Sequence, residues 1–419
     1  MSNLILRYAT TRWLPFLVVL ALVAGPATGQ VGQPVRAGGT LPAGVVQPCP
    51  PNDRYWEQVQ DGVLQNGQNG TQQSTSAQPE PIAATAERSR KLSRTFKAPA
   101  GRPLSIDTRY GRVQINTWSR SEIKAEVDII SRADSDEKAQ QLLDMIQVLM
   151  EEQSTEEGGI ALRTQFGEMP RECWSRQRLY EVNYTVWVPK GSPLRVHNNF
   201  GDISITGDRS GAVDLAIGYG SLRTARLDGP RNSIRVSNSA ATVQYVRQAS
   251  IDATHSRLRL DAGHTVDLRN NGSDIDMGTV QDLAVHSKYG DVSLGTVRNL
   301  RGSTGYSRFS VDKVSDQLNM KVQYCPAFEV RTTGPNFRSI NLDGGYSTIL
   351  LNFPDNAGFL FDVNAENGKL LIDKRLVKVK AEESSPSSSE MQGRYGMPQA
   401  KSVGNVNIKT RYSSVSFNR

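Results

Sequence analysis

Residues 255–311 contain four similar segments, which read HSRLRL (255–260), NGSDIDM (271–277), KYGDVSL (288–294) and GYSRFSV (305–311). The central apolar residue of each segment recurs at equal intervals, at Leu258, Ile275, Val292 and Phe309. A fixed period of this size is typical of proteins in which one short unit stacks on the next. The repeat therefore predicts an all-β fold, a β-solenoid with coils of about 17–19 residues.

Apolar and polar side chains alternate strictly within each segment. Because successive side chains of a strand point to opposite faces, Leu258 and Leu260 share an inward face, and Arg257 and Arg259 face solvent. A second strand precedes each turn, as at residues 283–285. A third apolar column runs through Leu227, Val246, Val280, Val297 and Val314. Three inward columns predict a coil that encloses a common apolar interior.

Residues 1–29 have the features of a secretory signal peptide. Arg7 and Arg12 precede an apolar run at residues 14–24, and small residues follow at 27–29. The alternative, a membrane anchor, is disfavoured because the run is shorter than the about 20 residues that a membrane-spanning helix needs. The sequence thus predicts export to the periplasm, the outer membrane surface or the exterior, with no transmembrane helix in the mature chain.

Two polar segments accompany the predicted β-domain, which extends over residues 92–419. Residues 30–91 are rich in Gln, Gly, Pro, Ser, Thr and Asn, a composition that predicts a flexible tether. A similar stretch predicts a polar loop at about 380–402, just before the last strand.

One segment has a helical rather than a β pattern. Asp134 and Glu137 resemble a capping box at the start of a predicted helix over about 135–152. The apolar residues that would share its buried face are Ala139, Leu142, Leu143, Ile146, Leu149 and Met150. We expect this helix to cover an end or a side of the solenoid, where strand edges would otherwise be open. A helix that binds a partner protein is the alternative.

Charge and cysteine content restrict the partners only broadly. The formal net charge is +7, and removal of the leader with Arg7 and Arg12 leaves about +5, too little to indicate nucleic-acid binding. A mixed solvated surface is favoured over attraction to anionic glycans or lipid head groups. The three cysteines, Cys49, Cys173 and Cys325, cannot all pair within the chain. A disulfide between Cys49 and Cys173 is open in an oxidising compartment, whereas Cys325 occupies a small-residue position in a repeat turn.

No catalytic, cofactor or metal motif emerges from the sequence. The spacing of the four histidines, His197, His255, His264 and His286, does not match a metal site. The sequence contains no phosphate-binding loop, no dinucleotide fingerprint and no nucleophile elbow. We therefore expect no cofactor.

Two carboxylates are the only candidates for acid–base chemistry. Asp274 and Asp291 occupy the same outward position in adjacent coils, and Arg257 and Arg308 flank them. Such a pair could serve as general acid and base. A charge ladder neutralised by its neighbours is favoured, because no nucleophile or metal ligand is predicted nearby.

An aromatic column is the second candidate for ligand binding. It consists of Phe200, Tyr219, Tyr289, Tyr306 and Tyr324, with interruptions at Asn238, His255 and Asn271. Exposed rings in a row could stack on sugars, but rings that stack on one another are favoured.

The chain resembles the putative-adhesin family of bacterial exported domains over residues 92–419. The resemblance rests on the repeated Tyr-Gly-Asp-Val and Tyr-Gly-Ser-Leu turns and on residues 104–118, 137–143, 182–189 and 407–415. It implies a right-handed parallel β-helix at the cell envelope or outside the cell. No catalytic motif can be transferred from this family, and fold alone does not decide function.

These observations favour a non-enzymatic, adhesin-like envelope protein that binds a protein or a glycan. The alternative is a carbohydrate-active enzyme, a polysaccharide lyase or hydrolase, and a purely structural envelope scaffold is a third hypothesis. The candidate ligand-binding residues are Tyr219, Tyr289, Tyr306, Arg257, Asp274, Asp291 and Arg308.

Overall fold

The computed structural model describes residues 86–99, 101–153, 159–169, 171–173, 179–396 and 404–418. The predicted signal peptide lies outside the described residues, as do Cys49 and residues 30–85 of the predicted tether. Residues 86–91, which the composition assigned to the tether, instead belong to a strand, because they pair with residues 128–133. The proposed disulfide between Cys49 and Cys173 stays a prediction.

The described residues form an all-β structure of 26 strands with one α-helix and one short 3₁₀ helix. The N-terminal strands are β1 (Ala86–Lys97), β2 (Leu104–Arg109), β3 (Val113–Trp118), β4 (Glu122–Ala133), β5 (Ile146–Glu152), β6 (Ile160–Phe166), β7 (Tyr180–Pro189), β8 (Leu194–Asn199) and β9 (Ile203–Thr206). The central strands are β10 (Val213–Gly218), β11 (Ser221–Leu227), β12 (Asn232–Ser237), β13 (Ala240–Thr254), β14 (Arg257–Asn271), β15 (Asp274–Lys288), β16 (Val292–Gly305), β17 (Arg308–Gln323) and β18 (Ala327–Val330). The C-terminal strands are β19 (Ser339–Gly345), β20 (Thr348–Asn352), β21 (Phe359–Glu366), β22 (Lys369–Ile372), β23 (Val377–Ser385), β24 (Ser388–Tyr395), β25 (Gly404–Arg411) and β26 (Ser414–Asn418). The helices are α1 (Asp136–Asp144) and a 3₁₀ helix at Arg171–Cys173.

The repeat predicted from the sequence appears as parallel pairing in register. Ile275 pairs with Leu258 on one side and with Val292 on the other, and Val292 pairs in turn with Phe309. The exposed fraction of each of these four side chains is 2% or less. The predicted inward column is confirmed, since equivalent apolar residues of successive repeats lie over one another in the core.

The long strands β13 to β17 bend as they cross the molecule. In β14 the buried residues Leu258 and Leu260 are two apart, Gly263 and Val266 follow at intervals of three, and Leu268 resumes the interval of two. A strand that alternates regularly buries every second residue, so each interval of three marks a place where the buried face changes direction. One strand therefore contributes to more than one side of the core.

The parallel pairs form two rows of neighbouring strands. The first row, in spatial order, consists of β6, β2, β8, β10, β12, β13, β14, β15, β16, β17, β19, β25 and β21. The second row consists of β7, β3, β9, β11, β13, β14, β15, β16, β17, β18, β20, β26 and β22. The turns between the rows place the aromatic column along a shared edge.

The spatial order departs from the chain order near the C-terminus. Strand β25 lies between β19 and β21, so Ile408 pairs with Leu342 on one side and with Val363 on the other. In the second row β26 lies in the same way between β20 and β22. The last described strands thus fill an internal layer of the stack rather than its end.

Antiparallel strands flank the parallel rows. Strand β4 pairs antiparallel with β7 and with β1, and β5 pairs antiparallel with β6. At the other end β24 lies between β21 and β23, again antiparallel. These pairings occupy strand edges that would otherwise be free to join a second chain.

The predicted helix over about 135–152 is only half correct. Helix α1 ends at Asp144, and residues 146–152 form β5. Ser135, not Asp134, is the N-cap, and its side chain accepts from the backbone N–H of Lys138 at 3.3 Å. The apolar positions Ile146 and Met150 misled the prediction, because a spacing of four residues places side chains on one face in a strand as well as in a helix.

The predicted polar loop at about 380–402 is also wrong over most of its length. Strands β23 and β24 form an antiparallel hairpin, in which Lys378 lies opposite Arg394. On its other edge β24 pairs with β21, so its backbone N–H and C=O groups find partners on both sides. This polar, Ser-rich sequence is therefore ordered by backbone hydrogen bonds rather than by burial of apolar side chains. Residues 397–403 lie outside the described residues.

Within the described part of the chain, no helix has the length and apolar character that crossing a membrane requires.

Candidate functional site

The turns between the two rows share an uncommon backbone conformation. Eleven of the described residues other than glycine have φ between 46° and 61°, and most of them are aromatic: Tyr110, Phe200, Tyr219, Asn238, His255, Tyr289, Tyr306, Tyr324, Tyr346, Asn367 and Tyr412. Residues other than glycine rarely adopt this left-handed backbone conformation, because it brings Cβ too close to a backbone carbonyl oxygen. Its recurrence shows that the turn geometry is imposed by the stack.

One member of the predicted aromatic column is misplaced. The position assigned to Asn271 is occupied by Gly272, which has φ of 68°. Its backbone N–H donates to the carbonyl of Lys288, as the N–H of His255 donates to that of Asn271. Asn271 is the last residue of β14, and Gly272 lies midway in sequence between the corner residues His255 and Tyr289, so the repeat keeps its length here.

Small residues follow the corner residues and connect successive turns. The backbone N–H of Ser256 donates to Oγ of Ser273 at 3.0 Å, while its own hydroxyl donates to the carbonyl of Thr254 at 2.7 Å. Cys325 occupies the equivalent position, is buried, and donates its backbone N–H to Oγ of Ser347 at 3.0 Å. The structural role expected for Cys325 is confirmed.

The aromatic rings of the corner column stack on one another. The ring centroids of Tyr306 and Tyr324, of Tyr324 and Tyr346, and of Tyr346 and Tyr412 are each 4.9 Å apart, with interplanar angles of 13° or less. Phe200 and Tyr219 form a similar pair at 4.9 Å. Because each ring covers the face of the next, the column presents ring edges and hydroxyl groups to solvent.

The longer stack runs from Tyr289 to Tyr412, and Tyr289 at its end is no more exposed than Tyr306 inside it. Tyr289, which ends it, has an exposed fraction of 46%, against 49% for Tyr306, whose two faces are both covered. The His255 ring lies beside Gly272, with Cδ2 3.0 Å from where a Cβ of residue 272 would be. Sugar stacking needs an open face, and Tyr219, Tyr289 and Tyr306 as ligand-binding residues stay a prediction.

The four predicted charged residues line one groove. Arg257, Asp274, Asp291 and Arg308 lie along the outer face of β14 to β17, in a groove of about 610 Å³. We call it the short groove. Its other lining residues are Ile275, Asp276, Val292, Ser293, Phe309, Ser310, Ala327 and Glu329.

Asp274 and Asp291 of the short groove are each bound to the backbone N–H of an equivalent position one repeat later. Oδ1 of Asp274 accepts from the N–H of Asp291, and Oδ1 of Asp291 accepts from the N–H of Arg308, both at 3.4 Å. This is the arrangement of a ladder that recurs at equivalent positions of neighbouring repeats. Among the described residues, no cluster of His, Cys, Asp and Glu has the geometry of a metal site.

A longer groove follows the outer face of the first row, and the sequence had not indicated it. We call it the axial groove; its volume is about 1270 Å³, and its lining residues come from ten neighbouring strands, β6 to β17 of the first row. At strand spacings of about 4.8 Å, nine intervals give a length of about 43 Å. Its floor is one row of paired outward positions, which includes the small residues Ser105, Ser233, Ser250 and Ala284.

Polar and charged side chains form the walls of the axial groove. On the floor, beside Ser233, Asp214 lies between two arginines, with its carboxylate 3.0 Å from Nε of Arg195 and 3.2 Å from a terminal nitrogen of Arg235. Farther along, Nδ2 of Asn299 donates to Asp282 at 2.6 Å. The outward positions of the second strand of each repeat carry this groove. These polar positions recur from repeat to repeat. Following them along the sequence, as was done for the apolar positions, would have revealed the axial groove.

Comparison with known proteins gives similarity to solved structures only. No family model matches the chain, and no curated protein matches it. A putative adhesin from Bacteroides fragilis is 11% identical over 78% of this chain and 97% of its own, with a TM-score of 0.25. A putative cell adhesion protein from Clostridium sporogenes is 9% identical over 79% of this chain and 99% of its own, with a TM-score of 0.17. A putative lipid binding protein from Parabacteroides distasonis is 12% identical over 78% of this chain and 97% of its own, with a TM-score of 0.23.

The descriptions of the first two structures agree with the resemblance predicted from the sequence.

Proposed function

We propose that this chain is an exported, adhesin-like binding protein of the bacterial cell envelope, without enzymatic activity, wound as a right-handed parallel β-helix. The winding is supported by the parallel register that joins Leu258, Ile275, Val292 and Phe309 in successive strands. The right hand is the one that twisted strands favour in connections between parallel neighbours.

The axial groove is the observation that carries the binding function. It follows ten strands without interruption, and polar side chains line it over its whole length. An extended polymer could contact equivalent outward positions of successive coils, which a compact ligand could not. A glycan or an unfolded protein segment at the cell surface fits this requirement.

Binding is best tested with the mature chain, beginning near Gln30. We expect it to bind a component of a glycan array or of solubilised cell envelope, and we expect a variant with bulky floor residues, Ser233→Trp with Ser250→Trp, to lose that binding. The matched control is Ser293→Trp with Ser310→Trp on the short groove. Binding by neither array nor envelope fraction, or equal loss in both variants, would contradict the proposal.

The absence of enzymatic activity is proposed from the ladder geometry of the short groove. Asp274 and Asp291 each accept a backbone N–H of the next strand, as a structural carboxylate does. Release of reducing sugar from a polysaccharide panel tests the alternative. Release that disappears in Asp274→Asn and Asp291→Asn would establish an enzyme and overturn this part of the proposal.

Export is proposed from the leader and is tested in cells. We expect the chain to fractionate with the periplasm or the outer membrane, and a variant with Arg7→Glu and Arg12→Glu to accumulate in the cytoplasm. Proteolysis of intact cells distinguishes a surface location from a periplasmic one.

A further inference from the structure

We infer that the axial groove binds a linear acidic polysaccharide, an inference that rests on the proposed binding function and names its ligand class. It starts from the charge of the groove. Five arginines and three aspartates line it: Arg163, Arg195, Arg231, Arg235, Arg301, Asp214, Asp267 and Asp282. Positive charge therefore exceeds negative charge along the groove.

Arg195 and Arg235 share the carboxylate of Asp214. The other three arginines, Arg163, Arg231 and Arg301, are exposed and form no ion pair or side-chain hydrogen bond with any residue in the described part of the chain, so they are available to a ligand. Arg231 lies just before β12 and Arg301 on β16, four strands apart in the first row, or about 19 Å. Two fixed positive charges at this separation suit an extended anionic polymer.

The remaining wall residues favour a sugar over a protein segment. Amide and hydroxyl side chains follow the arginines along the groove: Asn232, Gln248, Thr265, Asn299, Gln317 and Asn319. None of the described residues that line it is aromatic. Protein interfaces depend on apolar and aromatic anchors in pockets, whereas a polyhydroxylated chain needs many donors and acceptors at regular intervals. The strand spacing is close to the length that one pyranose unit adds to an extended chain.

Asp267 allows the sign of the charge on the ligand to be tested. It lies on the groove floor between Ser250 and Ala284, and its Oδ1 is buried without a hydrogen-bond partner among the described residues. This carboxylate faces the path of the ligand and opposes an anionic chain. Asp267→Asn should therefore bind the polymer more tightly than the native chain.

The experiment uses the mature chain and three polysaccharides. Polygalacturonate presents carboxylates, chondroitin sulfate presents sulfates and carboxylates, and dextran is neutral. We expect the two acidic polymers to bind, dextran not to bind, and the acidic affinity to fall as salt rises. Isothermal titration calorimetry measures the Kd of each.

Two double variants distinguish binding in the axial groove from attraction by the net charge of the protein. Arg231→Gln with Arg301→Gln should weaken binding about tenfold, since each lost contact with an anion contributes modestly at an exposed site. The control, Arg223→Gln with Arg247→Gln, removes the same charge from exposed arginines outside the groove and should bind as the native chain does.

Four outcomes would overturn the inference. Equal loss in both double variants would mean that net charge alone attracts the polymer. Dextran binding as tight as that of polygalacturonate would exclude selection for acid and leave the binding function in place. Binding to envelope protein, with none to any polysaccharide, would give the groove a different ligand, whereas binding to nothing would remove the proposed function as well.

Discussion

Every described corner except that of Gly272 places a side chain where the backbone favours glycine. Tyr324 has φ of 54°, and its ring stacks on Tyr306 and Tyr346. A left-handed residue other than glycine costs about 1–2 kcal/mol, and a stacked aromatic pair contributes about 0.5–1.5 kcal/mol beyond its buried area. The two stacked pairs therefore offset the cost of the backbone at this corner.

Substitution of Tyr324 should reverse the usual order of alanine and glycine. Both Tyr324→Ala and Tyr324→Gly lose the ring stacking. Only the alanine variant still has a Cβ in the left-handed conformation, with its cost in free energy. We expect the free energy of unfolding of Tyr324→Gly to exceed that of Tyr324→Ala by about 0.5–1 kcal/mol, measured by urea denaturation. At Tyr245, a strand residue without positive φ, alanine should be the more stable. The same order at both sites would contradict the proposed compensation.

A buried tyrosine gives the fold a dependence on alkaline pH. Tyr184 is 1% exposed, its hydroxyl lies 2.6 Å from Oγ1 of Thr164, and burial raises its pKa to about 12. A phenol whose pKa is higher in the folded state contributes stability that is complete below about pH 10 and lost as pH rises toward 12. Thr164 also contacts Thr108 at 2.9 Å, so the group belongs to a chain of hydroxyls inside the first layers.

Tyr184→Phe removes the titrating group and should remove this pH dependence. Between about pH 9 and about pH 11.5, we expect the native chain to lose about 2 kcal/mol relative to Tyr184→Phe. Denaturation of both proteins at the two pH values measures the difference between their free energies of unfolding. The exposed tyrosines are the same in both proteins, so their titration cancels in this difference. A difference that does not change with pH would show that Tyr184 ionises at its ordinary pKa in the folded chain.

At the residue scale, pattern predicts what repeats and misses what occurs once. Tyr289 and Cys325 were placed correctly because equivalent positions recur. Arg209 was not, although it lies in the third inward column beside Leu227 and is fully buried. Its guanidinium donates to the carbonyls of Pro189 and Ser192, and burial lowers its pKa to about 10. A charged residue in an apolar column cannot be predicted without the carbonyl groups that the loop 189–192 presents to it.

At the element scale, local pattern fails where neighbours decide the structure. Strand β5 carries apolar residues at a spacing that suits a helix, yet β6 supplies an antiparallel edge, and Arg90 and Arg94 donate to its carbonyl groups. Hairpin β23–β24 has few apolar residues but is paired along β21. Both segments depend on partners remote in sequence, which a periodic pattern does not contain.

The internal position of β25 and β26 predicts an unusual effect of truncation. If the strands were stacked in chain order, removal of residues 404–419 would expose an end and leave β21 in contact with β19. In the observed order, removal opens a gap between them, and Ile408, Val415 and Phe417 no longer fill the core. We expect the truncated chain to be cleaved by protease within 354–396 and to stay protected over 194–352.

A point variant of the full chain controls for loss of length. Ile408 faces the core and Lys409 faces solvent. Ile408→Asp should reproduce the protease sensitivity of the truncated chain, because it buries a carboxylate without a partner, and Lys409→Asp should not. Protection of residues 354–396 in the truncated chain would mean that the two layers close over the gap.

For the molecule as a whole, the proposed winding would make the repeats an almost one-dimensional stack. In such a stack each layer contacts only its neighbours, and stability is close to a sum of layer and interface contributions. The register is constant from β13 to β16, whereas the β16–β17 pair gains one residue at an irregularity beyond Val297. The central layers could therefore be predicted from sequence, and the antiparallel ends, which break the period, could not.

Because the central layers are equivalent, one of them should be removable. Deletion of residues 272–288 takes out one whole period and joins Asn271 to Tyr289, so that β14 meets β16 with Leu258 opposite Val292. We expect a folded protein with cooperative unfolding and a lower urea m-value, in proportion to the surface removed. Deletion of residues 272–284, which is not a whole period, should not fold, because it brings polar residues to inward positions. If neither deletion folds, the layers are not interchangeable, and if both fold equally well, the period does not fix the register; either result would remove the main support of the proposed winding.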